Sequence, residues 1–172
     1  MKLLLKPLLL SISISATLFI SSCGKDDDSG PSYDFINQNL QGTIDGHVFT
    51  YGEGTVETTT FEGEEQISFD LYHSNEDITD VCDFFGFGDE VSVFFFMPAE
   101  VGLYELSLNF SDFSGRTVTL FNPDGAVNNI ASIGAVEILT ITETEVTGRM
   151  DATLDGENTV NGNFTVEFCP DN

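Results

Sequence analysis

Between Leu40 and Phe168, segment after segment alternates apolar with polar residues, and this limits what the chain can fold into more than any other feature. Ile67, Phe69 and Leu71 alternate with Ser68, Asp70 and Tyr72. Tyr104, Leu106, Leu108 and Phe110 alternate with Glu105, Ser107 and Asn109. Val146, Met150, Ala152 and Leu154 alternate with Thr147, Arg149, Asp151 and Thr153, and Val160, Phe164, Val166 and Phe168 with Asn161, Asn163, Thr165 and Glu167. Period two places each set on one face of a β-strand, one face buried and one wet.

Turn signals punctuate these runs. Asp45-Gly46 separates Gly42–Ile44 from His47–Tyr51, and this dipeptide suits the two positive-φ positions of a type I′ hairpin. Thr55–Phe61 reads as a polar strand, and Val136–Ile141 as one rich in β-branched residues. Val91–Met97 is nearly all apolar, with Phe94, Phe95 and Phe96 in succession, so both of its faces are expected to be covered before Pro98 limits pairing. Thr117–Phe121 runs into Asn122-Pro123-Asp124-Gly125, and Asp155-Gly156-Glu157-Asn158 makes a second polar turn. The expectation is about nine strands and no helix after the leader: an all-β chain folding as a single antiparallel β-sandwich or barrel.

The chain divides into residues 1–22, 23–36 and 37–172. Lys2 and Lys6 flank an apolar run that ends in Ile20-Ser21-Ser22-Cys23, the layout of a secretory signal peptide. A spanning helix would need about 20 predominantly apolar residues, whereas Pro7, Ser11, Ser13, Ser15 and Thr17 interrupt this one. Ile-Ser-Ser-Cys resembles a bacterial lipobox, which implies that Cys23 receives a lipid and becomes the mature N-terminus. The next residues, Gly24-Lys25-Asp26-Asp27-Asp28, resemble the export signal of surface lipoproteins in the Bacteroidetes. That resemblance implies an outer-membrane lipoprotein displayed at the cell surface, anchored to the membrane through lipid. Residues 23–36 read as a flexible acidic tether and 37–172 as the β domain.

The body of the chain also resembles a known group. Pro98 after the phenylalanine strand, then Gly102-Leu103-Tyr104, together with Val136–Ile141, Val146-Thr147-Gly148 and Asn161–Val166, is similar to small flavobacterial lipoproteins of all-β fold and unknown function. No catalytic residues come with that resemblance.

Charge and cysteines narrow the classes of function. Past residue 22 all 29 acids remain against Lys25, Arg116 and Arg149, a net charge of −26. Nucleic acid is excluded as a partner, because phosphate binding needs clustered Lys and Arg. With Cys23 given to lipid, Cys82 and Cys169 are left, and two thiols on an oxidising export route most often pair. Such a bridge would contribute up to about 4.6 kcal/mol by chain entropy. Two free thiols or a metal site are the alternatives, and with only His47 and His73 beside them a zinc site is poorly supplied.

One segment has the composition of a binding loop. Ser74–Glu90 carries Glu76, Asp77, Asp80, Asp83, Asp89 and Glu90, with Phe84, Phe85 and Phe87 between. Calcium takes 6–8 oxygen ligands, so these six are candidate cation ligands, although the Asp-x-Asp-x-Asp-Gly order is missing. The opposing reading is a solvated acidic loop anchored by Cys82 and its phenylalanines. The oxygen-rich turns at Asn122–Gly125, with Asn128 and Asn129, and at Asp155–Asn158 are explained by turn chemistry alone.

The first expectation for function is a lipid-anchored, non-enzymatic binding or structural accessory domain with a protein or glycan ligand and no cofactor. A calcium-dependent glycan- or ligand-binding module is the alternative. A small hydrolase, the third reading, would need a buried carboxylate of raised pKa in a concave pocket near His47 or His73.

Overall fold

A computed structural model describes residues 32–61, 63–84, 86–111 and 114–169. The expected signal peptide, Cys23 and the expected tether through residue 31 lie outside the described residues, as do Phe85 and residues 170–172. Asp45 and Gly46 both take positive φ, 53° and 76°, as a type I′ turn requires. They join β1 (Gln41–Ile44) to β2 (His47–Phe61), with Ile44 opposite His47.

The other strands are β3 (Glu64–His73), β4 (Ser92–Pro98), β5 (Gly102–Glu105), β6 (Ser107–Asn109), β7 (Ser114–Arg116), β8 (Val118–Asn122), β9 (Val127–Ala131), β10 (Ile133–Ile141), β11 (Glu145–Asp155) and β12 (Asn158–Phe168). Ten of them form one sheet in the order β5-β10-β11-β12-β1-β2-β3-β4-β8-β9, while β6 and β7 pair only with each other. The pairing is antiparallel except past the end of the short β1, where β12 meets β2 in parallel through Glu167–Thr55 and Phe168–Val56.

The sheet folds over on itself without closing, which makes the protein an all-β sandwich. Phe164 on β12 meets Phe69 on β3 edge-on at 5.9 Å and Phe95 on β4 at 5.8 Å, while Phe69 and Phe95 stack at 4.4 Å. Rings from β12 and from β3 and β4, which do not pair with it, therefore meet in the core. Full burial of a phenylalanine is worth about 1.5–3 kcal/mol, and each such ring pair adds about 0.5–1.5. Gly148 on β11 is part of the fit, since a Cβ there would stand 2.4 Å from the Phe164 ring.

Two chain crossings hold the open edges near each other. Only Ser132 separates β9 at one end of the sheet from β10 near the other. The run from Gly102 splits at the buried Leu106, whose N–H donates to the Gly134 carbonyl: β5 pairs with β10, then β6 turns away to β7. Splitting on the return at Thr117, the chain sends β8 to pair with β4 in the opposite half.

Four details depart from the sequence expectations. There are twelve strands among the described residues, partly because Asn128 and Asn129, read as turn, pair within β9. Tyr72, expected on the wet face, is 3% exposed. Phe96, expected under cover, is 57% exposed. The end of the expected tether belongs to the folded unit: the side chain of Asn161 accepts from the N–H of Ile36 at 2.9 Å and donates to the Asp34 carbonyl at 2.9 Å. Composition marked Tyr33–Ile36 as tether, and these cross-strand amides order it.

Candidate functional site

The acidic loop is laid back on the outside of the sheet. Phe84 packs edge-on against Tyr72 at 4.9 Å, and Phe87 against Phe94 at 5.2 Å and Phe121 at 5.0 Å. Cys82 and Cys169 are joined as a disulfide, with Cα atoms 5.2 Å apart, tying the loop to the end of β12. The buried Val81 next to Cys82 sits on a single 3₁₀ turn, Val81–Asp83.

The six candidate cation ligands are not brought together. Glu76 is spent on the loop itself: its carboxylate accepts the N–H groups of Asp89 (3.1 Å) and Glu90 (3.0 Å). Asp80 accepts from the Cys82 N–H at 3.0 Å and caps the 3₁₀ turn. Among the described residues, no three Asp, Glu, His or Cys side chains gather as a metal-holding group.

The structure does join the three polar turns. Asn158 Oδ1 accepts from the Asp45 N–H at 2.8 Å, and Asn122 Nδ2 donates to Asp45 Oδ2 at 2.9 Å. Asn122 Oδ1 accepts from the Asp124 N–H, and Asp155 Oδ1 from both the Glu157 N–H and Asn158 Nδ2. Asn122 and Asn158 are buried, so these bonds satisfy amides that would otherwise be costly to desolvate. Their polar atoms pin one end of the sandwich.

Neither histidine meets an acid in a pocket. His47 is exposed at its hairpin turn, while His73 packs against Phe49 and its Nδ1 accepts from the Asn75 N–H at 2.9 Å. One carboxylate does have a raised pKa. Burial pushes Asp70 up to about 6, and the nearby charge of Glu57 adds to this. Asp70 pairs across β3 with Phe94 on the outer face, whereas His73, three residues on, turns inward to Phe49. The same burial holds the phenol of Tyr72 above its ordinary range.

The concave surface with mixed chemistry lies further along this outer face. It is a groove of about 580 Å³, within the usual span of ligand sites. Phe96 lies along it, opposite Ser68 in the β3–β4 ladder. Thr59 and Thr60 from the end of β2, Glu64 and Gln66 from β3, and Arg116 and Thr117 at and just past the end of β7 line its rim. Local sequence explains the placement of Arg116. Gly115 has φ 138°, and a Cβ there would stand 2.1 Å from the Ser107 carbonyl oxygen, so only glycine lets β7 pair with β6 and then swing toward β8. The guanidinium lies over the Tyr104 ring at 5.4 Å, and the Tyr104 hydroxyl donates to the Glu100 carbonyl at 2.7 Å. Partial burial, with the Glu100 charge, raises the Tyr104 pKa.

A smaller cleft of about 340 Å³ opens where β2 bulges at Gly52 and Glu53. The Tyr51 hydroxyl bridges it to the Thr165 carbonyl, and burial holds that phenol above its ordinary range.

Sequence reasoning missed the groove, although a signal was present. Three consecutive phenylalanines on a strand cannot all point inward: Phe95 is core, and Phe94 and Phe96 must face out. The loop covers Phe94 and stops short of Phe96.

No protein-family model matches the chain, and no curated protein or solved structure matches it significantly.

Proposed function

We propose that this protein is a lipid-anchored, surface-displayed binding domain that acts without catalysis. The anchor rests on Ile20-Ser21-Ser22-Cys23 and the Lys-Asp-Asp-Asp that follows Gly24. Binding is supported above all by one observation: the half-open Phe96 ring in a polar-rimmed groove on a rigid sheet. Sites on a rigid scaffold hold their contact groups in place before the ligand arrives, which lowers the entropic cost of binding.

Membrane fractionation of a Cys23→Ser variant tests the anchor. Release of the mature protein into the soluble fraction is expected, with the wild type kept in the membrane and open to added protease on intact cells. A variant that stays membrane-bound overturns it.

A further inference from the structure

We infer that the groove over Phe96 takes a neutral saccharide, an inference that rests on the binding reading above and names its ligand class. A sugar ring presents a C–H face and a rim of hydroxyls, each both donor and acceptor. A site for it needs an aromatic plate edged by a mixture of donors and acceptors. Phe96 supplies the plate: the residue is more than half exposed although its backbone pairs with Ser68 of β3. The rim supplies the mixture. The Thr59, Thr60 and Thr117 hydroxyls and the Gln66 amide both donate and accept, Glu64 only accepts, and Arg116 only donates.

Charge narrows the class. The folded part carries a large negative excess, yet the described lining of the groove holds one carboxylate and one guanidinium and is neutral overall. An anionic ligand would approach against the field of the whole domain, which acts over a Debye length of about 8 Å at physiological salt. A cationic ligand would be drawn to the acidic surface at large, with Arg116 set against it in the groove. A greasy ligand would leave the polar rim unpaired. An uncharged, hydroxyl-rich ring satisfies both the plate and the rim.

The test is titration calorimetry on the full chain, purified as exported, against soluble neutral gluco-, manno-, galacto- and xylo-oligosaccharides. Matching uronic-acid oligomers and an oligolysine peptide run alongside. At least one neutral oligosaccharide should bind, with little dependence on salt and no counterpart among the uronates. Phe96→Ala and Gln66→Ala should each weaken it by about tenfold or more, while Leu103→Ala, exposed on the opposite half, leaves it unchanged. Phe96 is too exposed for its truncation to unfold the sheet, and Gln66→Ala gives a second reading of the same groove. Absence of neutral binding, binding that survives both groove variants, or salt-sensitive capture of oligolysine alone overturns the inference. Each of these leaves the anchor untouched, because fractionation of Cys23→Ser reads that separately.

Discussion

The two outer faces of the sandwich are covered by the same device, a stretch of chain laid across strands, but held by opposite chemistry. Across β11 and β12 lies the segment Tyr33–Asn37. Its backbone is bound by side chains: Asp151 accepts from the Asp34 N–H at 3.3 Å and Asn161 bonds both Ile36 and Asp34, while Asn163 donates to the side-chain oxygen of Asn37. Phe35 lies under the Arg149 guanidinium at 4.4 Å, and Arg149 pairs with Glu137. Across β3, β4 and β8 the cover is the acidic loop, held by ring contacts and a covalent bond. Polar side chains of β11 and β12 bond the strap along its length, while Leu103, Ile133 and Leu139 beyond it stay exposed. Aromatic contacts hold only where rings meet, so the second face is covered to Phe94 and open at Phe96.

Removing the disulfide should separate the two covers most sharply. A Cys82→Ala/Cys169→Ala variant is expected to lose about 2–5 kcal/mol of stability, read as a lower Tm. Amide hydrogen exchange should quicken in residues 74–90 and stay slow in residues 33–39. Equal loosening of both segments would break the comparison, because the covers would then be one cooperative unit.

A smaller effect comes from Asp70, half-buried beside Phe94 on this second face. Its pKa is raised from 3.8 to about 6, so between those values the folded protein holds a proton that the unfolded chain releases. The contribution is therefore fully present below about pH 4 and lost as pH rises through about 6. Asp70→Asn keeps the neutral form, and should raise stability at pH 7 by about 1–2 kcal/mol and flatten the Tm profile between pH 4 and 6. An unchanged slope would mean that solvent reaches the carboxylate freely.

These differences show which parts of the fold the residues declare locally. Asp45-Gly46 fixes a hairpin by its own φ preferences, and the alternation at Ile67–Leu71 or Val160–Val166 fixes a face, so both were legible. The pairing of Cys82 with Cys169 was legible by counting, with its place at a strand end foreshadowed by the polar phase of Cys169. The strap was not: Tyr33–Ile36 has the composition of a linker, and the amides that order it lie more than a hundred residues away. The groove fell between the two cases. The run Phe94-Phe95-Phe96 announced an outward ring, but which ring stays bare depends on where the loop ends, and that is decided by Phe87 meeting Phe94 and Phe121. The candidate cation ligands form no metal-holding group among the described residues, for a related reason. Composition counts the oxygens, whereas the fold had already given Glu76 and Asp80 to backbone N–H groups.

The polar cover gives the smallest effect and the finest test. Asn161 makes two of the strap's bonds with one side chain, accepting from Ile36 and donating to Asp34. Both are solvent-exposed, so water replaces much of what is lost, and Asn161→Ala should cost only about 1 kcal/mol. The decisive readout is local. Exchange at residues 33–39 should accelerate while the loop at 74–90, still stapled, stays as protected as before. A strap that remains protected would shift the credit to Phe35 on Arg149, a contact that Arg149→Leu removes along with its pairing to Glu137. The polar face would then prove to be held, like its opposite, by an aromatic ring.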